Sequence, residues 1–248
     1  MGFNFKGVLF IAFAIIVWQA IVLIGAFNKA MFPGPLEVFE SLVSLALTGE
    51  LVNQILPSFW RVLLGLAIGC TAGIFAGLVM GRNKAMDETA SPLLNILRAF
   101  PPVALIPLMI VWFGITDASK IIAIALAVFF PVWISSLSGA KQIPSDYIRA
   151  AKLLTKSAKK RFLKIFLPAT TPYIISGVRI GIAIGFIMVF VTELAGASSG
   201  LGYFIANAQI TYRIDNLIAG LIVLGLSAAF TDYAFLLSTK RIFPWAYK

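Results

Sequence analysis

The sequence predicts an all-α membrane protein, a polytopic helix bundle of about six transmembrane helices that forms one domain over residues 1–248. Of these residues, 60% are hydrophobic and only 12% are charged, whereas soluble domains average about 45–50% apolar and about 25% charged residues. A soluble fold of this length has too few polar side chains to cover so much apolar surface. Apolar runs of about 20 residues, the length of a helix that crosses the hydrocarbon core, recur along the chain. Lipid is therefore expected to solvate much of the surface.

Six apolar runs are long enough to span a membrane. They cover residues 7–27, 58–81, 91–113, 120–140, 171–194 and 215–239. Lys6 precedes the first run, as in a signal peptide, but the run is long, contains Trp18 and ends without a clear small-residue cleavage site. It is therefore interpreted as a retained helix.

Basic residues predict the orientation, because loops rich in lysine and arginine stay on the cytoplasmic side. Fourteen of the 20 basic residues share one side if both termini are inside. The outer segments then hold Lys29, Lys120 and Arg213. Both termini are therefore predicted to be cytoplasmic. The basic cytoplasmic loops explain the net charge of +10, so this charge does not indicate a nucleic-acid partner.

The longest outer segment, residues 28–57, is predicted to contain a short amphipathic helix that lies along the outer surface. Pro35 stands where the first turn would be, a position that proline favours. Apolar residues follow at helical spacing. They are Leu36, Phe39, Leu42, Val43 and Ala46.

Glycines recur every four residues in the second run, at positions 65, 69, 73, 77 and 81. Small residues at this spacing let helix backbones approach closely in lipid. Each step of four residues turns about 40° beyond a full turn, so the glycines wind around the helix. The pattern predicts packing against more than one neighbour, or a steep crossing.

Two segments interrupt the helical pattern. In the third run, Pro101 and Pro102 follow Arg98, and paired prolines force a helix to kink or break. After the fifth run, residues 196–202 are too rich in glycine for a stable helix and are expected to dip back into the bundle. Such breaks mark translocation routes in transporters, but a purely structural kink explains them equally well.

The longest inner segment, residues 141–170, is predicted to carry two short helices. Ser145 or Asp146 is a plausible cap of the first, whose apolar stripe is centred on two alanines and suits a groove on another protein. The second is expected to end at Leu167 and Pro168. An interfacial helix held by anionic lipid is the alternative. The residues of the stripe are Tyr147, Ala150, Ala151 and Leu154.

This inner segment resembles the cytoplasmic motif of the permease subunits of bacterial ATP-driven importers. The family motif reads Glu-Ala-Ala, three residues, Gly, nine residues, Ile, one residue, Leu-Pro. Arg149 stands at the usual Glu and Thr155 at the usual Gly. The residues that match at the family spacing are Ala150, Ala151, Ile165, Leu167 and Pro168.

Further stretches are similar to permeases for nitrate, sulfonates, taurine and related solutes. One runs from Arg98 to Gly114 and another from Glu193 to Tyr203. The resemblance implies the type I ABC importer permease fold in a bacterial or archaeal cytoplasmic membrane. It also implies small anions as the solutes and a second permease copy. The further partners it implies are a cytoplasmic ATPase dimer that binds ATP and Mg²⁺ and an extracytoplasmic substrate-binding protein. No cofactor and no catalytic activity are expected in this chain.

Two groups of candidate residues follow from the resemblance. The ATPase-coupling group is Arg149, Ala150, Ala151, Leu154, Thr155, Ile165, Leu167 and Pro168. The translocation-path group is Arg98, Pro101, Pro102, Glu193, Ser198, Ser199 and Gly200. Charged residues inside a membrane are functional candidates by default. Arg98 is expected to attract an anionic solute or, alternatively, to be an anchor at the inner interface or a partner of Glu193 or Asp232. Arg179 is expected to be a snorkelling anchor.

Two other functions compete with this interpretation. Residues 196–200 superficially resemble the nucleophile loop of an intramembrane serine protease, but the chain has no histidine, so a Ser-His pair cannot form. An ion-gradient-driven secondary transporter would need dimerisation, and no inverted repeat is evident. Dependence of uptake on ATP separates that transporter from an ABC permease.

Overall fold

The computed structural model describes residues 5–25, 28 and 31–247, and these residues form helices and no strand. Lys29 and Lys248, two of the basic residues used above for the orientation, lie outside the described residues. The α-helices are α1 (Phe5–Leu23), α2 (Pro35–Leu47), α3 (Glu50–Arg82), α4 (Lys84–Ala99), α5 (Ile106–Phe113), α6 (Asp117–Lys141), α7 (Ser145–Leu154), α8 (Ala158–Arg161), α9 (Leu167–Leu194), α10 (Leu201–Ile210) and α11 (Ile214–Ile242).

The membrane-spanning pattern is confirmed. In the described part of the chain, five helical stretches are long and apolar enough to cross a membrane, and α4 with α5 makes a sixth if the bent pair is one span. The predicted outer helix is present as α2, with Pro35 in its first turn. The second predicted span begins earlier than residue 58, because α3 starts at Glu50 and continues through Pro57.

The third predicted span is broken, as its prolines require. Helix α4 ends at Ala99, Phe100 and Pro101 are extended, and a 3₁₀ turn (Pro102–Leu105) leads into α5. The two parts are bent by 85°. Residues 91–113 therefore do not form one straight helix.

The glycine ladder of α3 packs along one helix, α6, over its whole length. A Cβ on Gly69 would lie 2.5 Å from the Ala125 carbonyl oxygen, and one on Gly77 would lie 2.7 Å from that of Trp133. The expectation of several neighbours or a steep crossing is wrong. The contact positions on α6 also repeat about every four residues, so both stripes drift together and the two helices coil around each other.

Helices α3 and α6 run in the same direction, because later glycines of α3 meet later residues of α6. The chain must therefore return once between them. The bent pair makes this return: Asp87 of α4 pairs with Lys141 at the end of α6 at 2.6 Å, and Met109 of α5 lies with Ser119 near its start. The bent pair thus extends along the length of α6, which supports six membrane crossings.

Helix α9 packs against α6 in the opposite direction. A Cβ on Gly177 would lie 2.6 Å from the Ser135 Cβ, whereas Gly181 faces Val128. On the far side, α2 is held to α11 by the Ser41 hydroxyl, which donates to the Asn216 side-chain oxygen at 2.6 Å. Helix α10 is largely buried between α9 and α11.

The inner segment differs from the expectation in two details. Helix α7 begins after Pro144, and no side chain caps it, so neither Ser145 nor Asp146 has the predicted role. The second helix does not end at Leu167 and Pro168: α8, a π-helical turn (Phe162–Phe166) and α9 form one continuous helix from Ala158 to Leu194. Proline has no N–H to donate, so Pro168 leaves one hydrogen bond of this continuous helix unmade, directly after the π-helical turn.

The glycine contact generates a stability prediction. Gly73→Leu places a side chain where its first carbon alone would lie 2.8 Å from the Phe129 carbonyl oxygen. Overpacking against backbone costs about 1–3 kcal/mol, so the thermal unfolding midpoint of the purified complex should fall. Gly225→Leu is the control, because nothing lies within 4 Å of a Cβ there. Equal midpoints for the two variants would contradict the assigned role of the ladder.

Candidate functional site

The candidate residues lie at the two ends of the bundle. We call the end where α3 and α6 finish and α9 begins the basic end, since it holds Arg82, Lys141 and the α7–α8 segment. At the opposite end, α3 and α6 begin and α9 finishes at Leu194. The coupling candidates are at the basic end, and Glu193 with residues 198–200 is at the opposite end.

A buried ion cluster occupies the opposite end. Arg61 of α3 donates from Nη1 to Oε1 of Glu193 at 2.6 Å and from Nε to Oδ1 of Asp117 at 2.8 Å. Both Arg61 and Glu193 are almost completely buried. Lys120 lies beside them, 4.0 Å from Asp117, and donates to the Thr116 carbonyl oxygen at 3.1 Å. Two positive and two negative groups meet, so the cluster is neutral overall.

The cluster holds the glycine-rich segment against α3. Arg61 donates to the Ser199 carbonyl oxygen at 2.7 Å, and Glu193 accepts the Gly202 N–H at 2.8 Å. The Ser58 hydroxyl donates to Glu193 and accepts the Leu201 N–H at 2.8 Å. Backbone groups that a turn leaves unpaired are thereby satisfied, as a low-dielectric surrounding requires.

Gly200 is the position where this turn requires glycine. Its φ of 116° is rarely adopted by residues with a side chain, and a Cβ there would collide with the Glu193 carboxylate. The Gly200 N–H donates to the Gln54 side-chain oxygen at 2.8 Å. The segment does turn back into the bundle, but Leu201 and Gly202 already belong to α10.

Sequence reasoning did not single out Arg61, and a signal for it exists. Gln54, Ser58 and Arg61 stand at helical spacing, so they form one polar stripe on an otherwise apolar helix. A stripe of this kind inside a membrane implies a buried polar partner. Glu193 is that partner, which leaves Arg98 without the pairing considered above.

The serines of the glycine segment have no means of becoming nucleophiles. Ser199 accepts a hydrogen bond from Arg61 Nη2 at 3.2 Å, and arginine stays protonated and cannot act as a base. Ser198 is exposed. The chain has no histidine, and Glu193 is saturated by the donors already described. The geometry is that of a turn held in place by hydrogen bonds.

The bend between α4 and α5 places Arg98 on the surface. Arg98 lies in the last turn of α4, two residues before the break at Phe100. Its side chain is exposed and makes no hydrogen bond or ion pair with another residue in the described ranges. Asp232, the other partner considered for it, is taken by Arg179, which donates from Nε and Nη2 at 2.8 and 2.7 Å. Arg179 is therefore paired rather than a snorkelling anchor.

Helix α7 turns only part of its predicted stripe outward. Ala151 is 3% exposed and faces α3 and the π-helical turn, where it lines a cavity with Arg82 and Phe162. Ala150 is exposed, and Leu153 and Leu154 are 90% and 80% exposed. The outward face of α7 therefore consists of Tyr147, Ala150, Leu153 and Leu154.

The link from α7 to α8 is short and internally bonded. Arg161 donates to the carbonyl oxygens of Thr155 and Lys156, both at 2.9 Å. Thr155 has φ −159° and ψ 134°, an ordinary extended conformation that needs no glycine. The replacement of the family Gly at this position is thereby explained. Arg149 forms only a surface pair with Asp146, at 3.6 Å.

The remaining coupling candidates join α7 to the bundle. Phe162 and Phe166 stack at 5.7 Å, and the Arg82 guanidinium lies over both rings, at 5.5 and 5.2 Å from their centroids. Such cation–π contacts tie the end of α3 to the π-helical turn. The half-buried residues Ile165, Leu167 and Pro168 follow on the same turn and the start of α9.

Comparison with known proteins identifies the class of membrane protein that shares these features. The family described as binding-protein-dependent transport system inner membrane component matches residues 69–244. The taurine transport system permease protein TauC of Escherichia coli K12 is 31% identical over 240 residues, covering 95% of this chain and 87% of TauC. The nitrate import permease protein NrtB of Synechocystis is 30% identical over 231 residues, covering 90% and 83%.

Solved structures share the fold. A chain of the MetNI methionine ABC transporter, solved in an inward-facing conformation, superposes with a TM-score of 0.63 at 19% identity, covering 79% of this chain and 95% of that chain. A chain of an amino acid ABC transporter solved with histidines gives 0.61 at 16% identity, covering 82% and 97%. At these identities the likeness concerns the fold.

The ion cluster generates a second prediction. Glu193→Gln leaves the buried Arg61 charge without its closest partner, and breaking a buried pair costs about 3–5 kcal/mol. Asp117→Asn is the matched control: its side chain is 59% exposed, and exposed pairs contribute about 0–1 kcal/mol. The thermal midpoint of the complex should fall much further for Glu193→Gln. Equal losses would show that Arg61 does not depend on the buried carboxylate.

Proposed function

Since the chain belongs to the family of binding-protein-dependent transport system inner membrane components and is a permease subunit of an ABC importer, we propose that it forms the path of a small anionic solute. Relatives are named for taurine, nitrate and aliphatic sulfonates, so the solute would carry a compact anionic group with oxygen acceptors. The whole of residues 1–248 would act as one permease domain in the membrane. A partner ATPase would bind ATP and Mg²⁺, and a substrate-binding protein would deliver the solute.

The outward face of α7 is the observation that carries the proposed coupling of this permease to a partner ATPase. Leu153 and Leu154 are among the most exposed large apolar side chains of the described residues, and they flank a segment rich in basic residues. A short helix that presents leucines next to lysines fits an apolar groove with an acidic rim on another protein. We assign this face to the ATPase and the basic end of the bundle to the cytoplasm.

The packing of α7 supports transmission of force into the bundle. Ala151 is buried against the π-helical turn, Arg161 closes the α7–α8 link, and Arg82 clamps that turn to α3. A displacement of α7 by the ATPase therefore acts on α9 and α3 together. ATP binding on the partner chain biases the permease between two states through this connection.

The coupling face generates the third prediction. Leu154→Glu places a charge on a side chain that is 80% exposed and should not disturb folding. It should abolish co-purification of the ATPase, because desolvating an unpaired carboxylate in an apolar groove is unfavourable. Membrane insertion and thermal midpoint of the permease should match wild type.

Leu47→Glu is the matched control, since Leu47 is 83% exposed and lies on α2, away from the basic end. The ATPase should remain bound in this variant. Normal ATPase retention in Leu154→Glu would contradict the assignment of the α7 face. Ala151→Glu is a poorer test, because Ala151 is buried within the permease itself.

We place the path between two permease chains, because the space beside the ion cluster is too small for a solute. Between α5, α6 and the glycine segment, the described residues enclose a cavity of about 10 Å³, which holds at most about one water molecule. The ion cluster also holds the helices around this cavity together. The exposed bend of α4–α5, with Arg98, Pro101 and Pro102, would instead face the path, and a second copy of the permease would supply its other wall.

Arg98 generates the fourth prediction. A single unpaired guanidinium on the path attracts an anion. It binds the anion less tightly than a dense cluster of positive charges would, so the anion can leave again. Arg98→Gln should lower ATP-driven uptake into proteoliposomes roughly tenfold, the equivalent of one charge-assisted hydrogen bond. Arg98→Lys should recover part of the rate, because the charge returns without the planar fork. Assembly and basal ATP hydrolysis should stay unchanged in both variants.

Lys84→Gln is the matched control for Arg98. It removes a positive charge from the first turn of the same helix, where Lys84 forms only an exposed pair with Glu88 at 3.5 Å. Uptake should be close to that of wild type. If Arg98→Gln abolishes assembly, Arg98 has a structural role, and if it leaves uptake unchanged, the path lies elsewhere.

A further inference from the structure

A 3₁₀ turn that follows α11, Pro244–Tyr247, touches the start of α9. Within it, the Trp245 indole donates its Nε1–H to the carbonyl oxygen of Pro168 at 3.3 Å, across 77 positions of sequence. Pro168 is the last residue of the coupling motif. The contact therefore adds a hydrogen bond between α9 and the end of α11, besides the Arg179–Asp232 ion pair that also joins these two helices.

The Pro168 carbonyl needs a donor from outside its helix. In an α-helix this carbonyl would accept from the N–H of the residue four positions later. That residue is Pro172, which has no N–H. Pro168 itself cannot donate either, and the preceding π-helical turn is closed by the Leu167 N–H, which donates to the Phe162 carbonyl oxygen. The hydroxyls of Thr170 and Thr171 donate to the neighbouring Leu167 carbonyl oxygen, and the Trp245 indole supplies a donor for the Pro168 carbonyl.

The turn is well anchored on α11, so Trp245 is held rather than loosely docked. The Tyr247 and Thr239 hydroxyls lie 2.6 Å apart, and Thr239 is buried. Lys240 lies over the Tyr247 ring, 5.6 Å from its centroid. Phe243 packs edge-on against the Trp245 ring at 5.4 Å.

Trp245 also borders the coupling surface. It lines an open groove of about 860 Å³ together with Ala150 and Leu154 of α7, Ile165 of the π-helical turn and Pro168. The same side chain that satisfies the α9 carbonyl therefore contributes to the groove at the outward face of α7.

We propose that Trp245 is a positioning residue for coupling: its indole N–H fixes the start of α9 to the end of α11, so that a displacement of α7 moves both helices together. The proposal rests on the proposed role of α7 as the ATPase contact. Without the hydrogen bond, the donor-poor turn around Pro168 bends independently of α11, and part of the displacement is lost before it reaches the bundle.

Trp245→Phe tests the hydrogen bond, because it removes the N–H and keeps an aromatic ring in the groove. In the intact complex with its binding protein, the solute transported per ATP hydrolysed should fall about two- to fivefold, the effect of losing one exposed hydrogen bond. ATPase binding should be retained. Amide hydrogen exchange across residues 163–173 should become faster.

Pro172→Ala separates the loss of the donor to Pro168 from any change in the packing of the Trp245 ring. Alanine at 172 returns an N–H that can donate to the Pro168 carbonyl within the helix, which makes the indole donor redundant. In this background Trp245→Phe should change neither the transport-to-hydrolysis ratio nor amide exchange. Trp60→Phe is the control in both backgrounds, since Trp60 is 60% exposed on α3 and donates no hydrogen bond to a described residue.

Equal losses from Trp245→Phe in the two backgrounds, or no loss in the first, would overturn the proposal. Its failure is distinguishable from failure of the proposed function. If Leu154→Glu keeps the ATPase bound, the role assigned to α7 is wrong whatever Trp245 does. If Leu154→Glu releases the ATPase while Trp245→Phe leaves the ratio unchanged, the α7 assignment stands and the positioning role falls.

Discussion

The close parallel contact between α3 and α6 is the constraint on which the rest of the bundle depends. Backbone meets backbone along the glycine ladder, so these helices cannot be separated or rotated without loss of the whole contact. Two parallel helices require the chain to return between them, and the bent α4–α5 pair is that return. Helix α9 then packs on the other side of α6, which brings its first turn to the basic end.

The second constraint is that polar groups inside a membrane must find partners within the protein. Each irregular segment obeys it by a different contact. The turn at Gly200 is satisfied by Ser58, Arg61 and Glu193, whereas the start of α9 is satisfied by the Trp245 indole. Charged groups take part in the first, whereas the second uses neutral donors, the Trp245 indole and the hydroxyls of Thr170 and Thr171. The buried ion pair at the opposite end is therefore the more costly contact to break.

This asymmetry suits a permease that receives force at one end. A partner that displaces α7 acts on a segment joined to α3 by the Arg82 stack and to α11 by the Trp245 hydrogen bond. Arg82 and Trp245 are exposed, so a shift of these contacts leaves no charge buried without a partner. Separating Arg61 from Glu193 costs more free energy, because each partner would be left charged in an apolar surrounding. The bundle is then expected to tilt about the end that holds the Arg61–Glu193 pair.

The sequence by itself determined the features that depend on neighbours a few residues apart. Apolar runs marked the spans, Pro101 and Pro102 marked the break, and Pro35 marked the start of α2. Hydropathy, proline geometry and helical periodicity act locally, so they can be read from a single chain without its fold.

Only the tertiary structure decided which surfaces meet. Arg61 and Glu193 are 132 positions apart, Ala151 turns inward while Leu154 turns outward, and one helix accepts the entire glycine ladder. The continuation of the helix through Pro168 likewise depends on a π-helical turn and on an indole from a distant segment. Helical spacing specifies which residues share a face, but the partner of that face is set by how all the helices pack, which no local pattern encodes.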